Sequence, residues 1–233
     1  MPSCYETRHD RDAALPTHRH RAAYAALVVE GSYRESSVDG PLPCAPGTLL
    51  LHPPFHAHGN RFGRRGARVI NLVLPDAAAP AQAQACTVPD LREAAAILRR
   101  APERFAELHA ACAAHEAADA PAWQRAFVAA LGAGERPVAE IARMLGVTAE
   151  HASRALAASF GMPPQRLRRE LRWRRALALL RTPAPLAEIA AAAGFSDQSH
   201  LTRVARAHAG LPPAALRRQI NCVQDPRGAA GLQ

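Results

Sequence analysis

The sequence contains no lysine, and all 29 of its basic side chains are arginine. A guanidinium grips phosphate or carboxylate through a planar fork, whereas an ammonium acts as a point charge. Aromatic residues make up only 5% of the chain, and no run approaches the ~18 uninterrupted apolar residues that a membrane span requires. The five cysteines (Cys4, Cys44, Cys86, Cys112, Cys222) are odd in number and widely spaced, with no CxxC pair. That pattern argues against a disulfide framework or a thiolate zinc site. The first residues, MPSCYETRHDRD, have no apolar core of a secretory signal. A reducing cytoplasm is the expected location, with no membrane partner. At 48% hydrophobic residues the chain is too apolar for a disordered tail, and 233 residues allow two modest cores.

The charge is unevenly placed. Residues 1–120 hold thirteen arginines and thirteen acids, while residues 121–233 hold sixteen arginines and seven acids, so the whole net charge of +9 lies in the second half. A polyanion is the partner this suggests, although charge alone fits a solvated basic surface equally well.

The two halves also differ in pattern. From Cys4 to about Pro75, short apolar runs such as AAYAALVVEG, GTLLLHPP and ARVINLVLP are broken by Pro and Gly, which reads as strands and turns. The stretch 75–90, rich in Ala and Pro, reads as a linker. Beyond it, LREAAAILRR, ERFAELHAACAAHEAA and PAWQRAFVAALG carry apolar residues at helical spacing, and no further strand signal follows. The expected division is 1–76 as a β domain, 77–120 as linker and connector helices, 121–220 as a helical domain, and 221–233 as a flexible tail.

The basic half repeats itself. Pro137-Val-Ala-Glu-Ile-Ala with Gly146 recurs 48 residues later as Pro185-Leu-Ala-Glu-Ile-Ala with Gly194. With the offset widened by one, Ser153-Arg154 matches Thr202-Arg203, Gly161 matches Gly210, Pro163-Pro164 matches Pro212-Pro213, and Arg168-Arg169 matches Arg217-Arg218. Each copy has the layout of a helix-turn-helix: an amphipathic helix, a glycine at the bend, an N-cap (Thr148 or Ser196), then a second helix. Those second helices are expected at about 149–159 and 197–209. A long helix between the copies carries Leu167, Leu171, Trp173, Leu177 and Leu180 for packing, with seven arginines facing outward.

Second helices of such units place their first residues against base edges in the major groove, where Arg pairs with guanine and Gln with adenine. The side chains expected to project there are Glu150, His151, Ser153 and Arg154 in the first copy, and Gln198, Ser199, Thr202, Arg203 and Arg206 in the second. Taken singly, any of these is as well explained as helix-surface filler, and the equivalence across the repeat favours DNA contact.

GVTAEHASRALAASFGMPP, LRWRRALALL and LAEIAAAAGFSDQSHLTRVARAHAGLPPAALRR resemble the DNA-binding region of AraC/XylS-type transcriptional regulators, over about residues 123–218. The resemblance implies two helix-turn-helix motifs joined by a long helix and entering successive major grooves. Base contacts would come from Glu150, Ser153, Arg154, Gln198, Ser199, Thr202 and Arg203. Leu201 and Ala205 stand where that family carries phenylalanines, and Ala152 where it carries leucine.

In the first half, His18 and His20 lie two residues apart, and Tyr24 follows at an even separation that would share their face on a strand. His52, His56 and His58 are likewise evenly spaced around a proline pair. Convergence of His18, His20 and His58 would supply imidazole ligands suited to Zn, Fe, Ni or Cu.

These positions resemble the two metal motifs of cupin barrels. The first motif would fall on His18, His20, Tyr24 and Gly31, with Tyr24 in place of the motif's glutamate. The second would fall on Gly47, Pro53 and His58, with Phe55 and Phe62 in place of its Gly and Asn. The fold class expected is therefore α+β: a small N-terminal cupin-like β-barrel followed by an all-α domain with two helix-turn-helix motifs. The effector-binding set is His18, His20, Tyr24, His56 and His58, and the metal-ligand set, for a divalent metal, is His18, His20 and His58.

The function expected is a sequence-specific DNA-binding transcriptional regulator, an activator rather than an enzyme, with no catalytic residues. Double-stranded DNA is the main partner, with a small-molecule effector, a homodimer and RNA polymerase as further candidates. The alternative is a metal-dependent cupin enzyme with a helical interaction domain, which leaves the arginine-rich repeat unexplained. A nonspecific nucleoid binder is a third reading, marked by steep salt dependence without sequence preference.

Overall fold

The computed structural model describes residues 3–75, 78–115 and 120–222. The chain divides into two compact units, the first of residues 1–120 with 159–161, the second of residues 121–158 with 162–233. The mixed α+β class expected above is what forms, with the sheet first and the helices after it. Residues 223–233, most of the expected tail, lie outside the described residues.

The first unit holds β1 (Cys4–His9), β2 (Ala14–His18), β3 (Tyr24–Ser37), β4 (Gly40–Cys44), β5 (Thr48–His52), β6 (His58–Val73), β7 (Gln84–Thr87) and β8 (Ala113–Ala114), with α1 (Leu91–Arg100) and α2 (Phe105–Ala110) between β7 and β8. All pairings are antiparallel. β3 and β6, of 14 and 16 residues, pair along most of their length and carry the others. The first part of β3 pairs with β5 and its last part with β4, while β6 pairs with β2 and then β1.

Two register shifts bend the β3–β6 pair, between Val28 and Glu30 and between Gly31 and Tyr33. Gly31 permits the bend: its φ is +71°, and a Cβ there would lie 2.0 Å from the Gly66 carbonyl oxygen. The strand path runs β1-β6-β3-β5-β7-β8 and does not close on itself among the described residues, so the expected closed barrel is instead an open, bent sheet.

Period-two alternation splits the sheet's apolar residues between two faces. Ala25, Leu27, Leu49, Leu51, Ile70 and Leu72 form one cluster with Ala94, Ile97, Leu98, Phe105 and Leu108 of the helices. Tyr24, Ala26, Val28, Tyr33, Leu50 and Phe62 form the other, on the opposite face. Asp90 starts α1 by accepting a hydrogen bond from the Glu93 amide at 2.8 Å. The stretch read from sequence as a linker supplies β7, which pairs with the β5 edge and buries Cys86. Its four residues are too few to give a period of their own, so the strand is set by the edge it meets.

The second unit is helical: α3 (Ala122–Ala133), α4 (Val138–Met144), α5 (Ala149–Phe160), α6 (Pro164–Leu179), α7 (Leu186–Ala192), α8 (Gln198–Ala209) and α9 (Pro213–Cys222). Trp173, Phe127, Leu131, Ile141, Leu156 and Leu201 are among its fully buried side chains. The sequence repeat is a structural one. Pro137 and Pro185 precede α4 and α7 with the same backbone angles, φ −56° and ψ 142° or 143°. Gly146 (φ +69°) and Gly194 (φ +83°) make the bends before α5 and α8, in the left-handed region that favours glycine.

Candidate functional site

Two sets of side chains stand out, one in each unit. In the helical unit, Thr148 caps α5 by accepting from the His151 amide at 3.1 Å. At α8 the cap is Asp197 rather than Ser196: its carboxylate accepts from the His200 amide at 2.7 Å, and this bond, with that from Ser196, holds its pKa below the usual carboxylate range. Ser196 instead donates its hydroxyl to Asp197 at 3.0 Å. A carboxylate accepts from backbone amides more strongly than a hydroxyl, which explains the shift of one residue.

Ala152 in α5 and Leu201 and Ala205 in α8 are all 0% exposed. The residues that differ from the resembled family therefore still occupy core positions, and the helices turn their other faces out. Glu150, His151 and Arg154 are exposed on α5, with Ser153 partly so. Gln198, Ser199, Arg203 and Arg206 are exposed on α8, with Thr202 partly so. Two expected contacts are engaged within the domain. The His151 ring lies 5.4 Å from that of Trp123, and the Thr202 hydroxyl donates to the Gln198 carbonyl at 2.9 Å.

Of the seven arginines expected to face outward from the joining helix, six fall within α6, and not all of them face out. Arg168 is 8% exposed and donates to the Arg136 carbonyl, just before α4. Its counterpart in the repeat, Arg217 of α9, donates to the Ala184 carbonyl, just before α7. Arg172 pairs with Glu135, and Arg175 donates to the Gly132 carbonyl at 2.8 Å. Helix starts and ends leave unpaired backbone groups, and a long cationic donor on a neighbouring helix can satisfy the carbonyls beside them.

Residues 141–219 match the family described as "Helix-turn-helix domain". The helical unit carries an AraC-type DNA-binding domain. The match runs from Ile141 in α4 to Gln219 in α9 and includes the exposed residues just described. No curated protein matches the chain. Among solved structures, a transcriptional regulator with an AraC-type DNA-binding domain from Chromobacterium violaceum is 27% identical, covering 42% of this chain and 91% of that one, with a TM-score of 0.40. The C-terminal domain of AraT, a response regulator from Geobacillus stearothermophilus, is 21% identical over 44% of this chain and 88% of its own, with a TM-score of 0.41. ToxT from Vibrio cholerae is 10% identical, covering 94% of this chain and 98% of that one, with a TM-score of 0.44.

In the sheet unit, a cavity of about 110 Å³ opens among Tyr24, Glu35, His18, His20, His52 and His58. Register explains the gathering: β3 pairs Tyr24 with His52, and Ser37 with His58, while β2 pairs His18 with His58. One ring nitrogen from each of His18, His20 and His58 lies within 4.8 Å of the others. The same holds for His52, His56 and His58. The His18 and His58 Nδ1 atoms face the Pro16 and His56 carbonyl oxygens at 2.9 and 3.3 Å. Carbonyls only accept, so both Nδ1 atoms carry the proton and both Nε2 atoms present a lone pair. His58 Nε2 accepts from the Tyr24 hydroxyl at 2.9 Å.

Burial, then the neighbouring histidines, holds the pKa of His58 down to about 2 and that of His52 well below its ordinary value. Burial raises Tyr24 well above the phenol range, so it remains a neutral hydroxyl. His52 and His58 are therefore neutral, the form that binds metals. Phe55, standing where the cupin motif has glycine, adopts φ +62°, so the backbone demands there what glycine gives at least cost. Glu35 was not singled out from sequence. It lies 3.4 Å from His52 Nε2 and is buried, which raises its pKa to about 8. Its signal was the alternation Tyr33, Glu35, Ser37, three buried residues two apart on a strand whose length the sequence did not reveal.

Proposed function

We propose that this chain is a sequence-specific transcriptional regulator that reads double-stranded DNA through two helix-turn-helix motifs, α4–α5 and α7–α8, and senses a small ligand in its cupin-like half. The observation that carries the DNA reading is the equivalence of Arg154 and Arg203, both exposed at the same station of the second helix of each repeat. Gln198, Ser199 and Arg206 add contacts in one half-site, and Glu150 and Ser153 in the other. His151 and Thr202 serve the helices' own packing more than base readout. The protein acts in the cytoplasm as a regulator rather than an enzyme, alone or as a homodimer, and meets RNA polymerase at its promoters.

The ligand is held by the histidine cluster of the sheet unit, with His58 at its centre. A cavity of about 110 Å³ is far below the ~300–1,000 Å³ of pockets for larger molecules. Its imidazole lining suits a divalent transition metal, with the lone pair of His58 already fixed by a backbone carbonyl. When bound, the ion shifts DNA binding only to the extent that it favours one state of the protein.

Binding-site selection on random duplexes tests the DNA reading. A defined motif is expected, Arg203→Ala should relax one of its positions by about 1–3 kcal/mol, and Arg154→Ala should do the same in the other half-site. A fragment starting near Ala120 should select the same motif. Binding with a steep salt slope and no motif would instead make the protein a nonspecific nucleoid binder.

A further inference from the structure

We propose that the metal position in this protein is an inner set, His52, His56 and His58, backed by the carboxyl groups of Glu35 and Asp39, rather than the rim set that the cupin motifs mark. The inference rests on the reading of the sheet unit as a ligand-binding half and specifies its ligand as a divalent transition-metal ion held by imidazoles.

Each inner histidine has one ring nitrogen directed at an acceptor. His52 Nε2 lies 3.4 Å from Glu35 Oε2, His56 Nδ1 lies 4.0 Å from Asp39 Oδ2, and His58 Nδ1 donates to the His56 carbonyl at 3.3 Å. That is how metal-binding histidines are oriented, with the outer nitrogen held so that the inner one points to the ion. The other nitrogen of His52, Nδ1, is buried and has no hydrogen-bond partner. Buried polar nitrogens are otherwise almost always paired, and a bond to a metal supplies the missing partner.

The groups behind the rings distinguish the two sets. Metal-binding histidines are held by a carboxyl or carbonyl group at the nitrogen turned away from the ion. Glu35 and Asp39 place carboxyl groups beside His52 and His56. At the rim, His18 is backed by a neutral carbonyl, the motif's glutamate is the phenol of Tyr24, and no carboxylate pairs with His18 or His20 among the described residues.

The inner rings stack, His52 on His58 at 4.5 Å and 20°, and His56 on His58 at 5.8 Å and 15°. Ligand nitrogens around a tetrahedral ion sit roughly 3.3 Å apart for bonds of ~2.0–2.1 Å. Nitrogens now within 4.8 Å of one another reach that spacing by side-chain rotations that move each by about 1 Å. His58 belongs to both sets and has only Nε2 to offer, so the two positions exclude each other. On binding, Nε2 exchanges its hydrogen bond from Tyr24 for the ion.

The test is titration of the full chain with Co(II), followed by its visible d–d absorption, and with Zn(II) by equilibrium dialysis. The wild type and His20→Gln are expected to bind a single ion with similar affinity, whereas His56→Gln and His58→Gln lose it. Glu35→Gln, which keeps every ligand, should weaken binding by roughly 10–100-fold. The near-ultraviolet dichroism of Tyr5, Tyr24 and Tyr33, the chain's only tyrosines, checks that each variant retains its fold. Loss of the ion in His20→Gln with retention in His56→Gln overturns the inner set while leaving the ligand-binding reading intact. Unchanged affinity in Glu35→Gln also overturns it, even if His56→Gln fails to fold. A wild type that binds neither ion removes both the inner set and the metal reading, without touching DNA recognition.

Discussion

Replacing Arg168 with methionine separates two roles that an arginine in a basic DNA-binding domain can play. The side chain is 8% exposed, and its guanidinium donates to the Arg136 carbonyl beside the start of α4. Methionine keeps most of the apolar stem and removes the fork, leaving that carbonyl without its charged donor. A hydrogen bond to a charged group contributes about 1.5–3 kcal/mol. Taking about 2 kcal/mol, and about 4–8 °C per kcal/mol for a unit of roughly 100 residues, the helical unit should melt about 8–16 °C lower. Trp123 and Trp173 are the chain's only tryptophans and both lie in that unit, so a fluorescence melt of the intact protein reads it selectively. The selected DNA motif and the salt dependence of binding should not change. An unaltered melt combined with a salt slope smaller by about 0.9 would mean that Arg168 neutralises a phosphate, and the structural assignment would be refuted. Arg217→Met should behave in parallel, since Arg217 does for Ala184 what Arg168 does for Arg136.

Arg203→Ala, by contrast, should leave the tryptophan melt in place and broaden one position of the DNA motif; a lowered melt with an intact motif would assign the residue to packing. Asp197→Ala removes the α8 cap and should cost about 0.5–2 kcal/mol in the same melt, and no change would show that Ser196 takes over the Asp197 role. In the sheet unit, hydrogen bonds from Arg99 and then Arg68 hold the Glu6 carboxyl below its ordinary value. A lowered folded pKa gives stability that is present above the unfolded value near 4.5 and is lost as the pH falls through the folded one. Glu6→Gln should therefore lower the tyrosine-monitored melt at neutral pH and converge with the wild type as the pH falls, and a gap that does not narrow in acid would sink the linkage.

The sequence by itself determined the helical half almost completely. Recognition of the repeat needs only residue identity and spacing, because each helix pair is built from local signals: a proline before the first helix, a glycine at the bend, an N-cap and a helical apolar period. Those signals placed α5 and α8 within a residue or two and marked which of their residues face out. They did not show that Arg168 and Arg217 are turned to backbone carbonyls, since an arginine's partner on another helix leaves no trace in its own neighbourhood.

The sheet half was legible only in outline. The even spacing of its histidines was visible, but their assembly into one cavity depends on the register of β3 against β5 and β6, which joins residues dozens of positions apart. Glu35 and β7 escaped for the same reason: one is functional only beside His52, and the other is a strand only along the β5 edge. Local patterns fix which helices and strands can form, because their energies come from near neighbours in the chain. Which buried carboxyl group meets which imidazole is decided by long-range pairing, and only the tertiary structure contains that.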